Sequence, residues 1–160
     1  VDRIAVPFFM GEPMPGFVVP DPHAVVDSPL PLGSPQQRMG ELYRVLAEHV
    51  ADADRPFVYA SDCVATIGVL AGLQRKGIEP TVVWFDAHGD FHTWETTLSG
   101  FIGGMPLAML VGRGEQSIMV AAGATPVEET SAVLVDGRDL DATEPVATSK
   151  VRHVTLSTLE

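Results

Sequence analysis

Apolar runs broken by proline, glycine and polar clusters set the rhythm of this chain. Residues 3–9, RIAVPFF, are nearly continuous in apolar character and bounded by Gly11 and Pro13, which predicts a buried first strand. From Met10 to Pro35 the prolines recur so closely that backbone donors are lost and φ is fixed repeatedly, so a long loop with no regular element of useful length is expected. Such a loop either frames a site or is a packed surface excursion. Ser34 followed by Pro35 gives an N-cap with proline at the first helical position, and Met39, Leu42, Val45, Leu46 and Val50 recur at helical spacing, predicting a helix to about Ala51. Phe57–Ala60 reads as a second strand, Ala65–Lys76 as a helix ended by Gly77, and Thr81–Phe85 as a third strand. Strand, helix, strand with a crossover of this length implies a right-handed βαβ unit and a parallel sheet. Beyond it, Met105–Val111 fits a short helix, Ser117–Ala121 is weakly strand-like, and residues 122–130 fit no single element. Ala132–Val135 is a fourth strand, Thr143-Glu144-Pro145 opens a short helix, and His153–Leu156 is extended.

With 160 residues and 46% hydrophobic content, the chain is long enough to bury a core and is expected to form a single α/β domain over 1–160, with 10–35 as its proline-rich loop. Ten Lys plus Arg against 21 Asp plus Glu give a formal charge of −11, so a nucleic acid would be repelled. Cys63 is the one cysteine, which excludes an intrachain disulfide and suits a reducing cytoplasm. No apolar run reaches the roughly 18 residues of a membrane span, and the N-terminus lacks a basic flank, so a soluble cytoplasmic protein without a membrane partner is expected. The start at Val1 and the end at Leu159-Glu160, a dipeptide that cloning scars share, raise the expectation that the sequence is a piece of a longer one.

The densest chemistry lies in WFDAHGDFHTWETTLSGFIGGMP, residues 84–106. In an open parallel sheet ligands bind beyond the carboxyl ends of the strands, and Val82–Phe85 runs straight into Asp86. Asp86, His88 and Asp90 have the i, i+2, i+4 spacing that projects alternate residues to one side of an extended chain. Two carboxylates and an imidazole suit Mn²⁺, Fe²⁺ or Zn²⁺. The other reading is a polar strand-end loop, with Asp86 capping backbone amides and His88 bonded to a carbonyl. Asp62 and Cys63, at the end of the preceding strand, add candidate ligands.

DAHGDFHTWETTLSGFIGGMPLAML, residues 86–110, closely resembles the signature of the arginase and agmatinase (ureohydrolase) family, an Asp-Ala-His-x-Asp stretch followed by a Thr/Ser-rich and Gly-rich loop. Ser61-Asp62-Cys63 looks like that family's Gly-Asp-His strand end, and VDGRDLD, 135–141, like a later strand and turn. The likeness covers most of residues 55–155. It implies a three-layer α/β/α fold with a mostly parallel sheet and a binuclear metal centre, usually manganese. In such a centre a bridging hydroxide attacks a guanidinium or amidine carbon of a small substrate. By the resemblance Asp86 bridges two metals, His88 binds one, and Asp90 binds the other and helps orient the hydroxide.

The pattern also departs from the family. Cys63 stands where the family has a ligand His, and a thiolate would shift preference toward Zn²⁺ or Fe²⁺. His92 replaces an Asn that contacts a substrate carboxylate, Ser99 keeps a polar substrate-contact position, and Phe101 replaces a polar residue. Gly103 occupies the place of a His that assists proton transfer, which leaves His92 as the substitute on the same loop or as a structural His. The family's second ligand pair, Asp-x-Asp, would lie beyond Glu160, so the C-terminal portion of the fold is absent from this sequence. Asp136, Asp139 and Asp141 are not its replacement, because Gly137-Arg138 makes a tight turn and Arg138 pairs locally. Two functional classes follow: a metal-dependent C–N hydrolase, or a degenerate ureohydrolase fold that binds or assembles without catalysis. Apolar surface and strand edges that the family covers with later strands imply a homo-oligomer or association with a missing half.

Overall fold

In a computed structural model that describes residues 1–156, the elements run β1 (Asp2–Val6), β2 (Phe8–Phe9), β3 (Glu12–Pro13), β4 (Ala24–Val25), α1 (Pro35–Asp52), β5 (Pro56–Ala60), α2 (Thr66–Arg75), β6 (Val82–Asp86), α3 (Pro106–Leu110), α4 (Ser117–Ala122), β7 (Ala132–Asp136) and β8 (Arg152–Val154). Leu159 and Glu160 lie outside the described residues. The chain divides into two compact units, Val1–Ile78 with Ser117–Thr125, and Glu79–Gln116 with the segment from Pro126 onward.

The first unit is built on a parallel sheet in the order β4-β1-β5. The apolar run at 3–9 does not continue as one strand: Pro7 separates β1 from β2, which turns back in a short antiparallel pair with β3. Within the proline-rich stretch only two-residue strands form, as the missing donors require. Helix α1 begins in a complete capping box, with the Ser34 hydroxyl accepting the Gln37 N–H and the Gln37 side chain accepting the Ser34 N–H. Its Met39, Leu42, Tyr43, Leu46 and Val50 are fully buried. Helix α2 ends as expected at Gly77, whose φ of +73° lets the chain turn out of the helix.

Close helix packing in this unit depends on absent side chains. A Cβ on Gly72 would sit 2.5 Å from Val50 Cβ and 2.7 Å from the Ala47 carbonyl oxygen, and one on Gly40 would sit 2.5 Å from Ala121 Cβ. The second contact explains a difference from the expectation for Ser117–Ala121, which is helical and not extended. Burying Ile118, Met119 and Ala122 needs a helical face, and Gly123 at φ +77° closes that helix.

The second unit holds the parallel sheet β6-β7-β8. Strands β5 and β6, expected as two members of one βαβ sheet, thus pair respectively with β1 and with β7. Trp84 and Leu134 point into the core, while Val83 and Phe85 on the opposite face are 51% and 76% exposed. Both sheets are parallel and carry helices in the intervening sequence, so the α/β class expected from the apolar runs is what is found.

Candidate metal centre

Strand β6 delivers Asp86 at its carboxyl end, in register with Asp136 at the end of β7. The pairing continues past both strands, with the Gly137 N–H donating to the Asp86 carbonyl and the Asp139 N–H to the Ala87 carbonyl, each at 2.8 Å. This extension brings the 136–139 turn beside residues 86–88. Extended backbone stops at Asp86, however. Its Oδ1 accepts the His88 N–H at 2.9 Å, an Asx turn that bends the chain, and Asp90 adopts φ +48°. The alternating projection expected of Asp86, His88 and Asp90 is therefore not kept: the His88 side chain is exposed, whereas Asp90 is only 7% exposed.

Around His88 two carboxylates gather. Its Nδ1 lies 3.3 Å from Asp86 Oδ1 and its Nε2 3.7 Å from Asp139 Oδ2. Asp136 is engaged by Arg138, the local pairing expected for that turn. Asp141 is bound by the Thr143 N–H at 2.8 Å and lies 2.7 Å from the Thr143 hydroxyl. Those bonds hold its carboxyl below the ordinary carboxylate value.

His92 is half-buried. Its N–H donates to the Gly104 carbonyl at 3.1 Å, and its Nδ1 lies 3.2 Å from Thr96 Oγ1. Ser99 is exposed and spends its oxygen on the Phe101 N–H at 3.1 Å. Asp62 and Cys63 belong to the first unit, and Asp62 is used structurally. Its carboxylate accepts the Met10 N–H at 2.9 Å, the Tyr43 hydroxyl at 3.0 Å and the Ala65 N–H at 3.3 Å, capping the helical turn Cys63–Ala65. Burial first, and the Asp62 charge second, push the Tyr43 phenol far above its usual value.

Glu144 was not singled out by its sequence context, where it read only as part of a helix start. It accepts the Phe91 N–H at 2.8 Å, and its carboxylate lies 2.7 Å from where a Cβ on Gly89 would be. A glycine in the middle of a polar motif was the signal that could have found it, since Gly89 has no left-handed φ to explain it.

The arginase family model matches residues 18–158. The chain belongs to the arginase family. Arginase of Bacillus subtilis is 40% identical over 90 residues, 56% of this chain and 30% of that protein. The N(omega)-hydroxy-L-arginine amidinohydrolase of Streptomyces lavendulae is 30% identical over 125 residues, 78% of this chain and 44% of that one. The crystal structure of Bacillus subtilis arginase superposes with a TM-score of 0.77 at 26% identity, covering 99% of this chain and 64% of that chain. This chain thus spans just under two thirds of a solved arginase, with the arginase-like α/β fold that the motif implied. No helix among the described residues is long and apolar enough to cross a membrane.

The donor types at 86–90 fit a hard or borderline divalent cation in kind. Among the described residues, though, no three His, Cys, Asp or Glu side chains gather into a metal-holding group. Asp86 is turned onto its own loop amide, and Asp90 is drawn inward by the reversed backbone.

Proposed function

We propose that this chain carries one part of the active centre of a metal-dependent amidino hydrolase that acts on a small guanidino or amidino compound in the cytoplasm. The observation that carries the reading is Asp86-x-His88-x-Asp90 at the carboxyl end of a parallel strand, within a family-model match spanning residues 18–158. In this reading Asp86, His88 and Asp90 would hold the metal, most readily Mn²⁺. When bound, such a centre supplies an activated water for attack on the amidine carbon. His92 is the proton-handling side chain of the same loop and faces the substrate together with Ser99, and Thr96 orients its ring through Nδ1. With Gly103 in place of a His, proton transfer falls to His92.

Among the curated relatives are arginases and an N(omega)-hydroxy-L-arginine amidinohydrolase, and both names support amidine hydrolysis as the reaction class. Exposed Val83 and Phe85 on β6 support association with a second copy or with a chain supplying the rest of the fold. The second reading, a fold that binds or assembles without catalysis, is favoured by Cys63 and Gly103, which stand where the family has His. Metal analysis by isothermal titration with Mn²⁺, Zn²⁺ and Fe²⁺ separates the two, followed by urea and ammonia release from a panel of guanidino compounds. Stoichiometric Mn²⁺ lost in Asp86→Asn, with turnover of at least one compound, is expected of the hydrolase. Metal binding without turnover leaves the binding module, and neither metal nor turnover refutes the hydrolase.

A further inference from the structure

The contact between Glu144 and the 89–91 backbone joins positions 53 residues apart, and it lies between two of the proposed ligands. Three observations define it. The space a Gly89 side chain would fill is taken by the Glu144 carboxylate, whose carbon and both oxygens would all lie 2.7 Å from a Cβ there. One of those oxygens accepts the Phe91 N–H at 2.8 Å, a charge-assisted bond. Between Gly89 and Phe91, Asp90 is held at φ +48°, a left-handed conformation uncommon for a non-glycine residue and sustained by its surroundings.

The Asp90 carbonyl also accepts the Ala108 N–H at 3.2 Å, and the neighbouring Phe91 ring is fully buried. The three atoms nearest a Cβ on Gly89 all belong to the Glu144 carboxylate. It is itself fixed, because the Glu144 N–H donates to the Asp141 carbonyl at 3.0 Å and the Thr143 hydroxyl lies 3.1 Å from the Thr96 carbonyl oxygen.

We propose that Glu144 is a positioning residue for the metal centre, a carboxylate clamp that locks the Gly89–Phe91 backbone and so fixes where Asp90 and His88 present their ligand atoms. The inference rests on the hydrolase reading for its consequence and on geometry for the clamp. Groups that orient ligands from behind typically change metal affinity by about 10–100-fold when removed.

The test uses the full chain with Glu144→Ala, Glu144→Gln and Gly89→Ala, each checked for folding by circular dichroism and melting. Mn²⁺ affinity is read by titration below every melting transition, and Phe91 amide exchange by NMR without metal. Expected are a loss of Mn²⁺ affinity of about 10-fold or more in Glu144→Ala, recovery to within about threefold in Glu144→Gln, which keeps an acceptor oxygen, and a loss in Gly89→Ala matching Glu144→Ala. Phe91 exchange should quicken in Glu144→Ala and stay slow in Glu144→Gln. A lowered melting temperature with unchanged Mn²⁺ affinity overturns the positioning role and leaves a structural one. Glu144→Gln as weak as Glu144→Ala also overturns it, because charge and not the bond would then be at work. If the wild-type chain binds no Mn²⁺, the hydrolase reading falls while the exchange arm still judges the clamp, and unchanged Phe91 exchange in Glu144→Ala overturns that too.

Discussion

Removing the Asp62 carboxylate tests whether the strand end that carries Cys63 is built for structure. Asp62→Ala leaves three donors without their partner: the Met10 N–H, the Ala65 N–H and the Tyr43 hydroxyl. Loss of an N-cap costs typically about 1 kcal/mol. A buried hydroxyl left unpaired costs about 1–3 kcal/mol, and the Tyr43 side chain is fully buried. With part of the Met10 bond recovered by water, the sum is about 3 kcal/mol, or a fall in Tm of roughly 6–12 °C for a chain of this size. Differential scanning calorimetry reads it directly. Asp62→Asn, which keeps one acceptor oxygen, should recover part of the loss, and the cycle with Tyr43→Phe should show a coupling of about 1 kcal/mol. A Tm fall below about 3 °C in Asp62→Ala, or no coupling to Tyr43, would refute this accounting.

The Tyr43 phenol gives the pH dependence of the same contact. Because its folded value is raised, its contribution is fully present below the unfolded value near 10 and is lost as pH rises beyond it, at about 1.4 kcal/mol per pH unit. Melting between pH 9 and 11 should therefore fall more steeply for the wild type than for Tyr43→Phe. Gly72→Ala, which in an exposed helix would gain about 1 kcal/mol, should instead destabilise by about 1–3 kcal/mol, because the new Cβ meets the Ala47 carbonyl and Val50; equal or raised Tm would contradict the packing. Cys63→Ala should leave Mn²⁺ affinity within about threefold, since a thiolate is a poor partner for that harder ion. A loss of Mn²⁺ by tenfold or more would make Cys63 a manganese ligand.

Much of the scaffold was legible because its signals are local. The Ser34 capping box, the proline at the first turn of α1 and the buried positions Met39, Leu42, Leu46 and Val50 lie within one helix and appear as read, whereas Val45, read into the same stripe, is only half-buried. Gly77 ends α2 for a reason contained in its own backbone. Ser117–Ala121 went the other way because an apolar run of that length fits either element, and the decision came from packing of Ala121 against Gly40. At the site, the motif and its place at the end of β6 were readable, as was the Arg138 pairing with Asp136. The positions of its side chains were not, since spacing assumes a continuing strand and the Asx turn at Asp86 ends it.

By itself, then, the sequence determined the α/β alternation, the donor types at 86–90 and the family they belong to, because propensity, capping and motif identity are carried by neighbouring residues. Tertiary structure decided which of those donors point inward, that Asp62 serves Tyr43 and two backbone amides, and that Glu144 reaches back across 53 residues to the Gly89 loop. Contacts of that separation are chosen by how elements pack: Gly89 marks a space in the motif, but only the packing puts Glu144 there.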